Sequence, residues 1–324
     1  MYTLKRIFNP EIFQGKYKRN NYFEGWYYKI IDKSSENILA IIPGVAVSRH
    51  SEHSFIQFID AKTGFTRYLT FPKQAFTYSE KELNVEIEGN HFNKQQMSLN
   101  LKDNDFSISG DIEFNDIVSF PKTLLNPGIM GPYSFVPFME CHHGIINIHS
   151  GLRGGLLFNG QSIDFTGGYG YVEKDWGKSF PHSWIWLQSN NFCHRDTSLM
   201  FSIASIPWFR HEFDGLIAFL RINGSFLRFA TYTGAKIKEL TVNDGILRVS
   251  IEDSEHILKL EASYGKGGIL KAPKKGIMEV EITESITSTV KVELAEKPGR
   301  LIFRDVGENT GLELAGNYRK FATD

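Results

Sequence analysis

The 324-residue chain predicts an all-β protein: two tandem antiparallel β-barrels with little helix. Three observations carry this. Short runs alternate apolar and polar residues or are rich in β-branched ones, tight-turn dipeptides separate them, and the second half repeats the order of the first. The length also exceeds what most single cores hold.

In chain order, the clearest strand-like runs begin at Phe55 (Phe-Ile-Gln-Phe-Ile-Asp), Asn84 (Asn-Val-Glu-Ile-Glu), Ile145 (Ile-Ile-Asn-Ile-His) and Met278 (Met-Glu-Val-Glu-Ile-Thr). Asn159-Gly160, Asn223-Gly224 and Asp244-Gly245 lie between such runs. Both residues of such a pair accept the positive φ that a two-residue hairpin turn demands. Long stretches with a 3.6-residue apolar period are missing, so helix is expected only as short pieces near Phe120–Leu125. Residues 120–133, dense in Pro and Gly, read as a long irregular connection, and 145–165 as the hairpin that finishes the first unit.

The halves echo each other in order. Trp26 matches Trp184, Phe58 matches Phe219 and Val85 matches Val249, the separation growing by three residues at each step. Loop insertions in a duplicated domain give such a drift. The expected units are therefore 1–165 and 166–324. A closed sheet of this size can enclose one small ligand.

A net charge of −1, with no block of Lys or Arg, argues against nucleic acid as a partner and gives an anionic membrane no evident handle. The N-terminus lacks the apolar stretch of a signal peptide, and no run is long enough to span a bilayer. Cys141 and Cys193 form no pair motif. A reduced, cytoplasmic setting is expected. Aromatic residues make up 14% of the chain, which suits either large cores or a cavity for a flat, greasy ligand.

The most informative segment is 169–190, which holds Trp176, Trp184 and Trp186, three of the five tryptophans, around Glu173, Asp175 and His182. Carboxylates beside indoles suggest a proton donor in an aromatic-lined site, able to protonate a carbon–carbon double bond and shelter the cation. Glu173 and Asp175, two apart, face one side of an extended segment, as do Trp184 and Trp186. Glu24, Trp26 and Tyr28 repeat the arrangement in the first half. The plainer reading is that these acids are solvated or pair with Lys174, Lys178 or Arg side chains.

Cys141-His142-His143, with His149 nearby, invites a metal reading, but adjacent histidines on a strand point to opposite faces and no metal-ligand spacing occurs; no metal is expected. His142 or His143 could instead relay a proton, paired with Glu140 or Asp175. The Gly-rich stretch 166–171 precedes no helix, so a phosphate cradle is not expected. No serine or cysteine triad is evident. The sequon at Asn223 falls in a hairpin turn and reads as coincidence.

Three stretches are similar to the tocopherol cyclase family: Tyr-Phe-Glu-Gly-Trp-Tyr-Tyr from Tyr22, Glu-Lys-Asp-Trp-Gly from Glu173 on to Asn190, and Leu-Lys-Ala-Pro from Leu270. The similarity runs over nearly the whole chain and is densest at 164–190. Looser similarity extends to carotenoid hydratases and other lipocalin-like terpenoid-processing proteins. The resemblance implies two lipocalin-like barrels and closure of a chromanol ring on a prenylated hydroquinone, without a redox cofactor. It implies a small hydrophobic prenylated or terpenoid ligand, collected by transient contact with a membrane surface. On the chemistry required, Asp175 is the expected acid, with Glu173 as competitor or partner. Trp176, Trp184 and Trp186, with Trp26, Tyr28 and Tyr171, would line the site, and Glu24 or His142 would orient or deprotonate the phenol. The plant members of the family carry Trp where this chain has His near Glu140, which leaves the substrate open. A hydratase of isoprenoid double bonds and a non-catalytic lipocalin-like carrier are the alternatives.

Overall fold

The computed structural model describes residues 2–137, 139–208 and 211–323, and in them the chain forms two antiparallel sheets. In the first, β1 (Tyr22–Ile31), β2 (Ile38–Val47), β3 (Glu52–Asp60) and β4 (Phe65–Pro72) form a meander. A second meander runs through β5 (Phe76–Tyr78), β6 (Asn84–Ile87), β7 (Asn90–Asn93), β8 (Gln96–Asp103), β9 (Phe106–Val118) and β10 (Cys141–Phe158). β11 (Gln161–Asp164) pairs with β10 alone, and β12 (Tyr169–Gly177) joins the two meanders by lying between β10 and β1.

One face of this sheet converges on a single core. Trp26, Tyr28 and Ile30 of β1 meet Ile56 and Phe58 of β3, Leu99 and Leu101 of β8, Phe106 and Ile108 of β9, and Val172 of β12. Phe71 and Phe76, from the two ends of the strand order, pack on the same core, so the sheet closes around it as a barrel. Trp26, Tyr28, Phe92, Phe106 and Phe165 are fully buried there. These side chains make the interior an apolar, aromatic-rich core.

The second sheet begins with β13 (Trp184–Ser189), β14 (Asn191–Phe192), β15 (Ser198–Trp208), β16 (His211–Ile222) and β17 (Ser225–Ala230). It continues with β18 (Lys236–Asn243), β19 (Ile246–Glu252), β20 (His256–Ser263), β21 (Gly267–Lys274), β22 (Ile277–Glu296) and β23 (Arg300–Ala315). Its order repeats the first: a meander read backwards from β17 to β13, then the last strand β23, then β22, β20, β19 and β18. Ile185, Leu187, Phe201, Leu258, Val292 and Leu312 lie in its own core.

The echoes in the sequence fall on equivalent elements. Trp26 and Trp184 both lie on the first strand of their sheets, Trp26 in its middle and Trp184 at its start, and residues 58–65 and 219–226 each form the hairpin between the third and fourth meander strands. Asn159, Asn223 and Asp244 all take positive φ (47°, 47° and 52°), and each following glycine does too, as the hairpin signal required. The described α-helix is Tyr2–Phe8, with 3₁₀ turns at Lys73–Ala75, Gly131–Phe135, Thr231–Thr233 and Tyr318–Phe321; residues 120–125, where helix was expected, hold a tight turn instead. Among the described residues, no helix is long and apolar enough to cross a membrane.

The division between units differs from the expected one near residue 165. β12 completes the first sheet, so the first compact unit runs to Phe180, and it also takes in Leu270–Glu281 from far along the chain. The second comprises Pro181–Ile269 and the chain from Ile282 onward. The Leu270–Glu281 hairpin is held to the first unit by Gln57, whose side chain donates to the Lys271 carbonyl (2.9 Å) and accepts its N–H (2.8 Å). Its turn passes so close to β1 and β2 that a side chain on Gly276 (φ 75°) would meet the Val47 carbonyl and the Tyr22 nitrogen.

Candidate active site

β12 runs without a bulge against β1, so its residues alternate strictly between two faces. Val172 and Trp176 turn to the core of the first barrel. Tyr171, Glu173 and Asp175 therefore share the opposite, outer face. In register, Glu173 lies between Tyr27 of β1 and Ile145 of β10, and Asp175 lies between Gly25 and His143.

His143 links the two acids. Its Nδ1 is 2.9 Å from Asp175 Oδ1, and its Nε2 is 3.4 Å from Glu173 Oε2. The Tyr171 hydroxyl donates to the same Glu173 oxygen at 2.5 Å. Burial, and then the Glu173 charge, hold the Tyr171 phenol well above its usual pKa, so it stays a donor. From below, the His143 backbone N–H points to the Met130 thioether at 3.2 Å. Asp175 is the open end of this row: its side chain is 26% exposed, against 6% for Glu173 and 14% for His143. One nitrogen and two carboxylate oxygens of this trio lie within 4.8 Å of one another, a spacing that a divalent ion could also use.

The same face carries an apolar patch of Phe23, Ala46, Phe55 and Met278, with Ile42, Tyr68, Cys141 and Phe180 against it. Phe23 meets Phe180 edge-on at 5.3 Å, and Phe55 stacks on Tyr68 at 5.3 Å. Gly25 and Gly44 are cross-strand neighbours that separate Asp175 from Phe55 along one row. The Phe55 ring lies over Gly44, where a Cβ would come within 2.4 Å of it. At the far edge, His53 Nε2 and the Tyr68 hydroxyl are 2.7 Å apart, and the Lys271 ammonium sits 4.7 Å from the Tyr68 ring centre.

Several expected site residues lie elsewhere. Glu24 is on the core side, fully buried and ion-paired with the fully buried Lys174; it also accepts the Tyr22 hydroxyl and the Gln14 N–H (2.8 Å). The plainer reading of the acids thus holds for Glu24, which has no role left to play on a phenol. Lys174 donates to the carbonyls of Pro10 (2.8 Å) and Ile12 (2.6 Å), and its ammonium lies between Trp26 and Trp176, 4.7 and 4.8 Å from their ring centres. Trp26, Tyr28 and Trp176 consequently belong to the core and its cap and do not share a face with Asp175. His142 is on that side too, edge-on to Trp176 at 5.3 Å, where burial lowers its pKa to about 4 and keeps it neutral. Of the two adjacent histidines it is His143 that meets Asp175, as strand alternation requires.

Trp184 and Trp186 lie on the second sheet. Trp184 Nε1 donates to Glu313 Oε2 at 2.5 Å, and Glu313 is opposite both Trp186 and the buried Glu284 in register. These acids lie on the last strand of the second sheet and on the strand paired with its far side, as Asp175 and His143 do in the first. Sequence reasoning missed Phe23, Phe55, Tyr68, Phe180 and Met278. The odd-numbered alternation of β1 could have found Phe23, whereas the pairing that brings in Met278 has no local signal.

Against known proteins, residues 102–316 match the family model for tocopherol cyclase-like proteins. The chain is 27% identical over 196 residues to the chloroplastic tocopherol cyclase of Zea mays, covering 56% of this chain and 40% of the relative. It spans about two fifths of the length of the curated relatives it matches. Solved structures of the same fold include CghA with Sch210972 (TM-score 0.55, 9% identity, 91% and 89% of the two chains). Another is kievitone hydratase from Nectria haematococca (TM-score 0.52, 10% identity, 94% of each chain). The matched residues span β9 to β23 and so include His143, Glu173 and Asp175, and this chain belongs to the tocopherol cyclase-like family.

Proposed function

We propose that the protein is a cyclase that closes a chromanol-type ring on a prenylated hydroquinone or a related isoprenoid lipid. The observation that carries this reading is the row Tyr171–Glu173–His143–Asp175, hydrogen-bonded at its two ends and joined in the middle by the 3.4 Å Glu173–His143 contact, set on one sheet face beside the Phe23–Phe55–Met278 patch. Family membership and the name of the maize relative support the choice of substrate class.

In the proposed reaction Asp175, the most exposed member of the row, gives its proton to the less substituted carbon of a trisubstituted alkene. The alkene electrons form the new C–H bond and leave a tertiary cation. Aromatic faces such as Phe55 and Tyr68 stabilise it, each by about 0.5–2 kcal/mol. The phenol oxygen then closes the C–O bond. Glu173 takes the phenolic proton, and His143, within reach of both carboxyls, returns it to Asp175. Product and substrate are isomers, so no redox cofactor enters the balance. Exclusion of water by the apolar patch favours closure over hydration.

The test is incubation with prenylated hydroquinones in deuterated buffer, followed by mass spectrometry. An isomeric product with one carbon-bound deuterium is expected. A product heavier by water, or tight binding without turnover, would instead establish a hydratase or a carrier and overturn the proposal. Asp175→Asn should cost about 10²–10⁴-fold in kcat. Full activity in both Asp175→Asn and Glu173→Gln would remove the acid assignment.

A further inference from the structure

Among the described residues, the three most exposed large hydrophobic side chains are Leu124 (84%), Leu125 (75%) and Tyr17 (65%). They sit on two segments that the fold brings together at one end of the first barrel. Lys122 reaches from residues 119–137 to the Phe8 carbonyl (3.1 Å) and Glu11 (3.0 Å), and Phe135 meets Phe8 at 6.0 Å.

Leu124 and Leu125 are the two central residues of a tight turn. Thr123 and Asn126 close it reciprocally, Thr123 N–H to Asn126 O at 2.9 Å and Asn126 N–H to Thr123 O at 3.1 Å. Central turn positions ordinarily carry Gly, Asn or Asp, because a turn tip faces water. Buried Phe120 and Ile129 anchor the two stems, so the leucines are presented on a fixed support.

Charge singles out the same end. Residues 2–20 and 119–137 carry Lys5, Arg6, Lys16, Lys18, Arg19 and Lys122 against one acid, Glu11, a balance of +5 in a chain of net −1. Glu11 answers Lys122 and Glu80 answers Lys16, whereas Lys5, Lys18 and Arg19 are exposed. Residues 2–20 hold five of these six cations, interrupted by apolar residues, and folding adds Lys122. Exposed leucines at a tip, an exposed tyrosine among lysines and a local positive charge are what an anionic bilayer surface binds.

We propose that this end of the first barrel docks on anionic membrane surfaces, with Leu124 and Leu125 entering the lipid. The loop also leads to the candidate site, since Met130, five residues past Leu125, accepts the His143 N–H. A lipid substrate taken from the bilayer at the tip would therefore arrive beside Asp175. That last step rests on the proposed cyclisation, whereas the docking does not.

The experiment is co-sedimentation of the full chain with substrate-free vesicles of phosphatidylcholine alone or of phosphatidylcholine and phosphatidylglycerol in equal parts. Binding to the anionic vesicles, weakened by salt, is expected. The double variant Leu124→Ser, Leu125→Ser should lower the partition about tenfold or more, and Lys18→Glu with Arg19→Glu should abolish the preference for phosphatidylglycerol. Thermal unfolding matching the wild type shows that the variants are folded. Absence of binding to anionic vesicles, or unchanged binding by the double serine variant, would overturn the proposal. No turnover is measured, so this result and that of the cyclisation test are separable.

Discussion

Lys174 stands between Glu173 and Asp175 in the chain and points the other way, and that alternation decides which acids are available for chemistry. The two-residue spacing correctly put Glu173 and Asp175 together. It should also have separated Asp175 from Trp176, one residue on, and Glu24 from the outer face. Lys174 and Glu24 neutralise each other without water, so removing one charge strands the other. Lys174→Met should destabilise the fold by about 3–5 kcal/mol in chemical denaturation, and adding Glu24→Leu should recover most of that loss. His142 gives a prediction with a definite sign. Its pKa falls from an ordinary 6.5 to about 4 on folding. Below pH 6.5 the unfolded chain gains a proton that the native state refuses, so stability is lost as pH falls from 6.5 towards 4. The loss amounts to about 3 kcal/mol at most. His142→Phe should lack this component, and the difference between the two stability–pH curves measures it.

At the scale of elements, Gly25 on β1 and Gly44 on β2 have different reasons to be glycine. A Cβ on Gly44 would press on the Phe55 ring at 2.4 Å and on the Glu24 carbonyl at 2.6 Å, and the backbone atom cannot yield. Gly44→Ala should therefore cost about 1–3 kcal/mol of stability. A Cβ on Gly25 would find its nearest neighbours at 3.6–3.7 Å, ordinary contact distance, yet it would stand beside Asp175 in register. Gly25→Ala should leave stability within about 0.5 kcal/mol and lower kcat/KM. A matching loss of stability and activity in both variants would show that the floor beside Asp175 is structural only. Strands and turns were legible here because hairpin pairs such as Asn159-Gly160 carry local backbone demands. The apolar patch was not legible, because Phe55, Phe180 and Met278 meet only through tertiary pairing.

For the whole molecule, duplication was readable from Trp26 and Trp184, but the exchange of Leu270–Glu281 into the first unit was not. Periodicity reports which face of a strand is buried and is silent about which sheet buries it. The Leu-Lys-Ala-Pro stretch at Leu270 stood out only through family resemblance, and the reason is now physical: Lys271 is the residue that Gln57 grips, and Met278 of the same hairpin covers Phe23 and Phe55. A fragment ending at Phe180 would keep every strand of the first sheet yet expose the Phe23–Ala46–Phe55 surface and leave both polar groups of the Gln57 amide without Lys271. Such a fragment should be poorly soluble or less stable by several kcal/mol, since each lost buried partner costs about 1–3 kcal/mol. Joining Leu270–Glu281 to it through a flexible Gly/Ser linker should restore a cooperative unfolding transition, measurable by circular dichroism. Gln57→Ala in the linked fragment should weaken that gain. Equal stability with and without the hairpin would mean that the second half of the chain lends the first nothing it needs to fold.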